Sequence, residues 1–386
     1  MSHSDERKVA VVLSGFPRRS ETFALHELLA LEEHGLLGAV FATKPGDGRR
    51  PHPDTARLRT PVHLLEGSST AAQARQLVTH LNARPVAAIH AYFAHLPAAV
   101  AAHAARDLNI PYGFSAHARD VRKVTPATLT RRVAEAACVV ACNDDVAATL
   151  SVSGAAVQLI PHGVDTARFR PQPFPPSEPF RLLAVGRLVE KKGFAVLIRS
   201  LTHLTVPFTL CIIGEGPEHE RLSAAIRTAG LEDRVVLCGS CTHAELPQAY
   251  AAAHAVVVPS IVDSSGDRDG LPNVVLEAMA SGRPVVASEV AAISSAVSSA
   301  PLSLSPAMNQ SGLLVPPARP VALAEALEWL ARRPDVWSKL GHNGRRRVEQ
   351  QFGLAACTTR FCRFLAGAYA LSERDSTGHL DAVKVL

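Results

Sequence analysis

The chain has 386 residues, of which 47% are apolar and 19% charged; this is too long for one ordinary core, suits two domains, and excludes a disordered chain or a coiled coil. Forty basic against 35 acidic residues give a formal net charge of +5, which admits an anionic ligand or an acidic membrane surface without pointing to nucleic acid. Seven scattered cysteines, a polar opening (MSHSDERKVAVVLSGF) in place of a secretory signal, and no run of 18 apolar residues predict a reducing cytosol and no spanning helix.

The predicted elements alternate. VAVVLS reads as a first strand, closed by Gly15, whose missing side chain allows close backbone approach to a ligand. A helix follows in SETFALHELLALEEHG, with Ser20 as an ordinary N-cap, then the strand AVFAT. PVAAIHAYFAHLPAAVAAHAA reads as a buried strand, a turn and an Ala-rich helix, and PYGFSAHARDV as a strand that delivers His117 to its carboxyl end. A histidine there is either a structural hydrogen-bonding group or a catalytic one. Five prolines in PQPFPPSEP form a stiff connector.

The alternation then restarts. RLLAVG precedes Arg187, Lys192 and a helix from Gly193. A strand end, two cations and a helix N-terminus suit a pyrophosphate, although a solvated basic loop reads equally well. FTLCIIG leads into Gly214 and Gly216, a tight turn without the G-x-G-x-x-G pattern. RVVLCG, AVVVPS, PVVAS and GLLVP supply further strands, and the chain is helical from about residue 320. In GDRDGLPNVVLEAMASGRP, Pro272 opens a helix, Asp269 precedes it and Glu277 lies inside it. At 1.5 Å per residue the two carboxylates are at most ~12 Å apart, too far for one acid–base dyad. They suit a sugar and a ribose, or Asp269 merely caps the helix. Glu277, among apolar neighbours, requires a partner. The predicted boundaries are a first domain over 1–172, a linker over 173–179, a second domain over 180–355, and a C-terminal helix and tail over 356–386.

The order and spacing of LIPHGVDTARFRP, VGRLVEKKGF, IIGEGPE and DGLPNVVLEAMASGRPVV resemble family 4 of the retaining glycosyltransferases over residues 8–350. FPRRSETF and FSAHARDV resemble the colanic-acid type of exopolysaccharide branch. The resemblance implies an α/β GT-B fold, two Rossmann-like doubly wound domains with an interdomain cleft, the first binding the acceptor and the second the nucleotide-sugar, with the C-terminal helix of 356–386 packed back on the first domain. It implies a hexosyltransferase that uses a nucleotide-sugar, UDP-sugar favoured, a glycan or lipid-linked acceptor, no metal or other cofactor, and the cytoplasm or inner membrane face. Arg187 and Lys192 match the diphosphate pair. Asp269 and Glu277 match the two acidic positions of E-x7-E, with contacts to sugar and ribose respectively. His117 matches a histidine near the reacting sugar, and Gly15 the first-strand loop near the phosphates. Gly214, Glu215, Gly270, Leu271, Pro272 and Asn273 fall at donor-contacting positions.

Three departures stand out. Asp269 is one methylene shorter than the usual Glu, Ala291, Ala292 and Ser295 replace two Gly and a Glu, and SSAPLSLSPAMNQSG reads as an insertion. Asp267-Arg268-Asp269 matches the D-x-D metal motif of other glycosyltransferases, but the two cations already offer counter-charge. Cys238-Gly-Ser-Cys241 has redox spacing without a following helix or a second pair for zinc, and G-x-S-x-G is absent. Arg345, Arg346 and Arg347 read as a solvated helix face. Arg119, Arg122, Lys123, Arg131 and Arg132 form a basic cluster that suits an anionic membrane surface or a solvated loop. The implied reaction is front-face displacement, in which the leaving phosphate takes the acceptor proton. An epimerase, a phosphorylase and a catalytically inactive binding homologue are the rival readings.

Overall fold

The structure is a computed structural model that describes residues 7–18, 21–48, 51–117, 120–151, 157–300 and 309–371. It divides into two units, Met1–Gly163 with Ala355–Leu386, and Val164–Leu354. In the first, the chain runs β1 (Val9–Leu13), α1 (Thr22–Glu33), β2 (Leu37–Ala42), β3 (Val62–Leu64), α2 (Thr70–Ala83), β4 (Ala88–Tyr92), α3 (Leu96–Leu108), β5 (Tyr112–Ala116), α4 (Pro126–Glu135), β6 (Cys138–Ala141), α5 (Asp144–Ser151) and β7 (Val157–Leu159). The strands form a parallel sheet in the order β3-β2-β1-β4-β5-β6-β7.

The second unit runs β8 (Phe180–Val185), α6 (Phe194–Leu201), β9 (Phe208–Ile213), α7 (His219–Thr228), β10 (Val235–Leu237), α8 (Leu246–Ala251), β11 (Ala255–Val258), α9 (Asn273–Ala280), β12 (Val285–Ser288), α10 (Ile293–Ala296), β13 (Gly312–Val315), α11 (Pro320–Ala331) and α12 (Pro334–Gln351). Its parallel sheet has the order β10-β9-β8-β11-β12-β13. Each sheet thus reverses its winding direction beside its first strand, between β1 and β4 and between β8 and β11. Ligands of such sheets gather beyond the carboxyl ends of the strands at that point.

Unbroken apolar strands follow from burial on both faces. Along β1, Ala10 and Val12 enter one core while Val9, Val11 and Leu13 enter the other, because successive side chains point to opposite faces. In the second unit, Leu182 and Ala184 of β8 face one core and Leu183 the other. A last helix, α13 (Leu354–Ala368), buries Phe361, Cys362 and Leu365 in the core that also holds Val9 and Leu28 of α1. Burying Phe361 and Leu365 contributes about 1.5–3 kcal/mol each.

The boundary between units falls at Gly163/Val164, not at 172/173. The reason is that residues 164–175 are held by the second unit. Val164 bridges to Gly353, Phe169 is buried in its core, and Arg283 donates to the carbonyls of Gln172 and Pro173 at 2.9 and 3.1 Å. Arg345 is likewise no solvated residue. Its guanidinium donates to the carbonyls of Phe169 at 2.6 Å, Ala280 at 2.8 Å and Thr166 at 3.1 Å, and Arg347 donates to the Ser295 carbonyl at 2.6 Å. These carbonyls end other segments, and α12 supplies their missing donors.

Ser20 lies outside the described residues, and the N-cap position of α1 is Glu21. Arg119 and residues 301–308 of the expected insertion are also outside them. Cys238 does not pair with Cys241; it forms a disulfide with Cys211 of the neighbouring strand β9. Among the described residues, no helix is long and apolar enough to cross a membrane.

Candidate functional site

In the second unit, three loops after β8, β9 and β11 are knitted together by glycines. Gly193 has φ +67°, and a Cβ there would sit 1.8 Å from the Pro259 carbonyl oxygen. Gly214 has φ +153°, with the Gly186 oxygen 1.8 Å from such a Cβ, and at Gly216 the Leu188 oxygen would lie at 2.3 Å. No other residue fits these approaches. Backbone hydrogen bonds complete the join, with Leu188 N–H donating to Glu215 O and Ile261 N–H to Lys191 O, each at 2.9 Å. The side chain of Glu215 accepts from Ser240 at 2.7 Å.

These loops collect the charges. A short 3-10 turn, Glu190–Lys192, precedes Gly193, so that α6 starts at Phe194. The Lys192 stem passes over Gly186, where a Cβ would touch its Cδ and Cε at 3.3 Å. Its ammonium lies 2.9 Å from Asp269 Oδ2, an oxygen that also accepts from Ser260 at 2.9 Å. Lys191 is 3.0 Å from Asp267 and 3.7 Å from the other oxygen of Asp269. Burial pushes the Asp269 carboxyl up, but Lys192, Lys191 and Ser260 outweigh it and hold it below the usual range. Asp269 therefore does not cap a helix. The N-cap position of α9 is Pro272, so the helix starts at Asn273, one residue after the expected start, and Pro272 makes no side-chain cap bond. Both carboxylates of the Asp-Arg-Asp motif face lysines. Arg187 is exposed. Gly270 and Leu271 are half-buried, Pro272 is buried, and Asn273 opens α9 at the surface.

Glu277 is 7% exposed. Its partner is the hydroxyl of Tyr250, which donates to Oε2 at 2.7 Å, and His243 Nε2 stands 3.9 Å from Oε1. Arg168 contacts His243 Nδ1, so a chain Arg168–His243–Glu277–Tyr250 fixes the carboxylate. The sequence gives no sign of Tyr250, His243 or Arg168. Ala291 adopts φ +47°, at a position where the resembling family carries Gly.

In the first unit, Gly15 serves the chain's own packing, since a Cβ there would lie 2.7 Å from the Pro45 oxygen. His117 follows β5 and is buried. Among the described residues neither ring nitrogen has a hydrogen-bond partner. The ring packs on Phe23 at 4.6 Å, Phe93 at 4.8 Å and His162 at 5.0 Å. Burial, then His162, His90 and His95, hold its pKa well below the ordinary value, so the ring is neutral. Asp120 positions it, accepting from the His117 N–H at 2.5 Å and from the Ala94 N–H. Burial pushes the Asp120 pKa up to about 7 against those bonds. Nearby, Glu27 accepts from Tyr92 at 2.5 Å and pairs with His162 Nδ1 at 3.3 Å. His95, after β4, has its pKa lowered to about 4 by burial and by Lys123, Lys44, Arg132 and Arg18. Asp120, Glu27 and His162 were not singled out from the sequence; a carboxylate within an apolar helix, as at Glu27, was the available signal.

Two family models match the chain. "Glycosyltransferase Family 4" covers residues 20–168 and "Glycosyl transferases group 1" residues 179–333. The putative colanic acid biosynthesis glycosyltransferase WcaL of Escherichia coli is 27% identical, over 89% of this chain and 96% of its own. The amylovoran biosynthesis glycosyltransferase AmsK of Erwinia amylovora is 36% identical over 39% of this chain and 35% of its own. Among solved structures, Anabaena HepE in complex with UDP superposes with a TM-score of 0.78 at 18% identity, covering 93% of this chain and 100% of that one. Sucrose-phosphate synthase of Thermosynechococcus elongatus gives 0.76 at 21% identity, covering 94% and 100%. The two parallel-sheet domains thus carry a family 4 and a group 1 glycosyltransferase domain in turn, on the GT-B fold, and the chain is a hexosyltransferase-type enzyme.

Proposed function

We propose that this enzyme transfers a hexosyl group from a nucleotide-sugar, UDP-sugar favoured, with retained anomeric configuration and without a divalent metal, to a glycan or lipid-linked acceptor in cell-surface polysaccharide or glycolipid synthesis. The observation that carries this reading is the Lys192–Asp269 pair at the carboxyl ends of β8 and β11. A donor diphosphate draws the ammonium from the carboxylate, and Asp269 turns to the sugar hydroxyls. Arg187 supplies a second cation, and the unpaired N–H groups of α9 face developing negative charge. Glu277, held by Tyr250, holds the ribose. As the phosphate leaves, it takes the proton of the incoming hydroxyl on the same face of the sugar. HepE, named above with UDP, supports a uridine donor by analogy of fold.

On the first unit, neutral His117 accepts a hydrogen bond from a sugar hydroxyl. The cations around His95 favour a phosphorylated acceptor, and with Arg122 and Arg131 they favour peripheral contact with an anionic membrane. The deciding experiment is a transfer assay with UDP-, GDP- and ADP-sugars in excess EDTA, the product's anomeric proton coupling read by NMR. Turnover of one UDP-sugar to an α-linked product supports the reading. An inverted product, or activity only with added Mn²⁺, overturns it.

A further inference from the structure

We propose that His26, His52 and Asp54 form a transition-metal site of the zinc class that clamps the first unit's surface turn to α1. His26 lies on α1, while His52 and Asp54 begin a 3-10 turn, Pro53–Arg57. One nitrogen from each histidine and one oxygen of the carboxylate all lie within 4.8 Å of one another. Asp54 Oδ2 is 3.5 Å from His26 Nε2 and 3.7 Å from His52 Nδ1. Ligand atoms on a tetrahedral Zn²⁺, at ~2.0–2.1 Å from the ion, stand ~3.4 Å from one another. Two of the three edges are therefore already close to their metal-bound length, and the third closes by a small rotation of the imidazoles. The two rings meet edge to face, with centroids 5.7 Å apart and planes at 87°, so they do not stack and their nitrogens can converge.

The surroundings prepare His52 and Asp54 as ligands. His52 Nδ1 accepts the Asp54 N–H at 3.2 Å. Its lone pair is thus on Nδ1, in the tautomer a metal requires, held by a long bond that yields readily. Arg57 approaches the other carboxylate oxygen, Oδ1, at 3.9 Å, which leaves Oδ2 to the ion and fixes the carboxylate from behind. His52 is buried at 6% side-chain exposure, whereas His26 and Asp54 keep 15% and 20%. The ion can enter from the solvent side, and a fourth position remains for water. Two imidazoles and one carboxylate suit Zn²⁺ over Mg²⁺ or Ca²⁺, which take oxygen. Such a clamp would steady α1, the helix that carries Phe23 and Glu27 beneath His117 and His162.

The test uses the full chain with any polyhistidine tag removed. Zn²⁺ affinity is measured by competition with a chromophoric chelator, and Co²⁺ is titrated for its visible spectrum. One equivalent of Zn²⁺, the strong absorption of tetrahedral Co²⁺, and a loss of affinity of at least ~100-fold in both His26→Ala and Asp54→Asn are expected, beyond the 10–100-fold that loss of an outer-shell group costs. Zn²⁺ should also raise the Tm of the native chain and not of the variants. His26→Gln replaces His26→Ala if the latter does not fold. Failure to bind Zn²⁺, a weak octahedral Co²⁺ spectrum, or affinity unchanged in the variants overturns the proposal and leaves an ordinary His–Asp ion pair.

Discussion

The Lys192 ammonium and the Asp269 carboxylate lie 2.9 Å apart, although 77 residues separate them in the chain. In the proposed reaction the donor breaks this pair, and the two freed charges serve opposite ends of the scissile bond. Lys192→Ala should lower turnover by on the order of 10²–10³, as loss of one donor to a leaving oxyanion does. It also leaves only Lys191, 3.7 Å away, and the Ser260 hydroxyl to offset the Asp269 charge beside the donor phosphate, so nucleoside diphosphate binding should weaken as well. Steady-state rates near those of the native enzyme would remove Lys192 from the mechanism.

The two acidic positions should separate in calorimetry with free nucleoside diphosphate. Asp269→Asn releases Lys192 from its ion pair, so affinity should stay level or rise while kcat/KM for transfer falls. Glu277→Gln keeps an acceptor for Tyr250 but loses the charge offered to the ribose. Its affinity should fall by about ten- to a hundredfold, equivalent to ~1.5–3 kcal/mol. Equal weakening in both variants would contradict the division between sugar and ribose.

Acid stability should report His90. The ring is fully buried, bonded to Tyr369 at 3.0 Å and Ser115 at 2.8 Å, and burial lowers its pKa to about 3. The folded pKa lies below the ordinary imidazole value of 6.5, so between them the unfolded state binds the extra proton. This contribution is fully present above pH ~6.5 and is lost as pH falls toward about 3, up to tenfold in the folding constant per pH unit. His90→Gln should flatten that part of a plot of unfolding free energy against pH. A slope equal to that of the native protein across this window would remove His90 as its source.

Arg283 should prove essential to the second unit. It is 1% exposed, donates to the carbonyls of Tyr250, Ala251, Gln172 and Pro173, and lies 4.4 Å over the Phe174 ring. Burial pushes its pKa down to about 10, still charged at neutral pH. Arg283→Ala orphans those acceptors and should cost on the order of 3–5 kcal/mol. Arg283→Lys should rescue little, because an ammonium cannot span the fork. Denaturant midpoints of the three proteins give the comparison.

The sequence by itself determined the two strand–helix series, the stiff connector and the glycine-bounded loops that bring Arg187, Lys192 and Asp269 to strand ends. Periodicity and glycine are local signals, and a parallel sheet places every strand's carboxyl end on one side. It also implied that Glu277 needs a partner. Only the tertiary structure decided that the partner is Tyr250, 27 residues away, that His162 meets Glu27 across 135 residues, and that Arg345 reaches Phe169 across 176. These pairs leave no periodic trace, since a hydrogen bond depends on two side chains meeting after the strands have been ordered. The boundary moved from 172 to 163 for the same reason. Proline composition shows where regular structure stops, whereas Arg283, Arg345 and the core pocket for Phe169 decide which unit holds the segment.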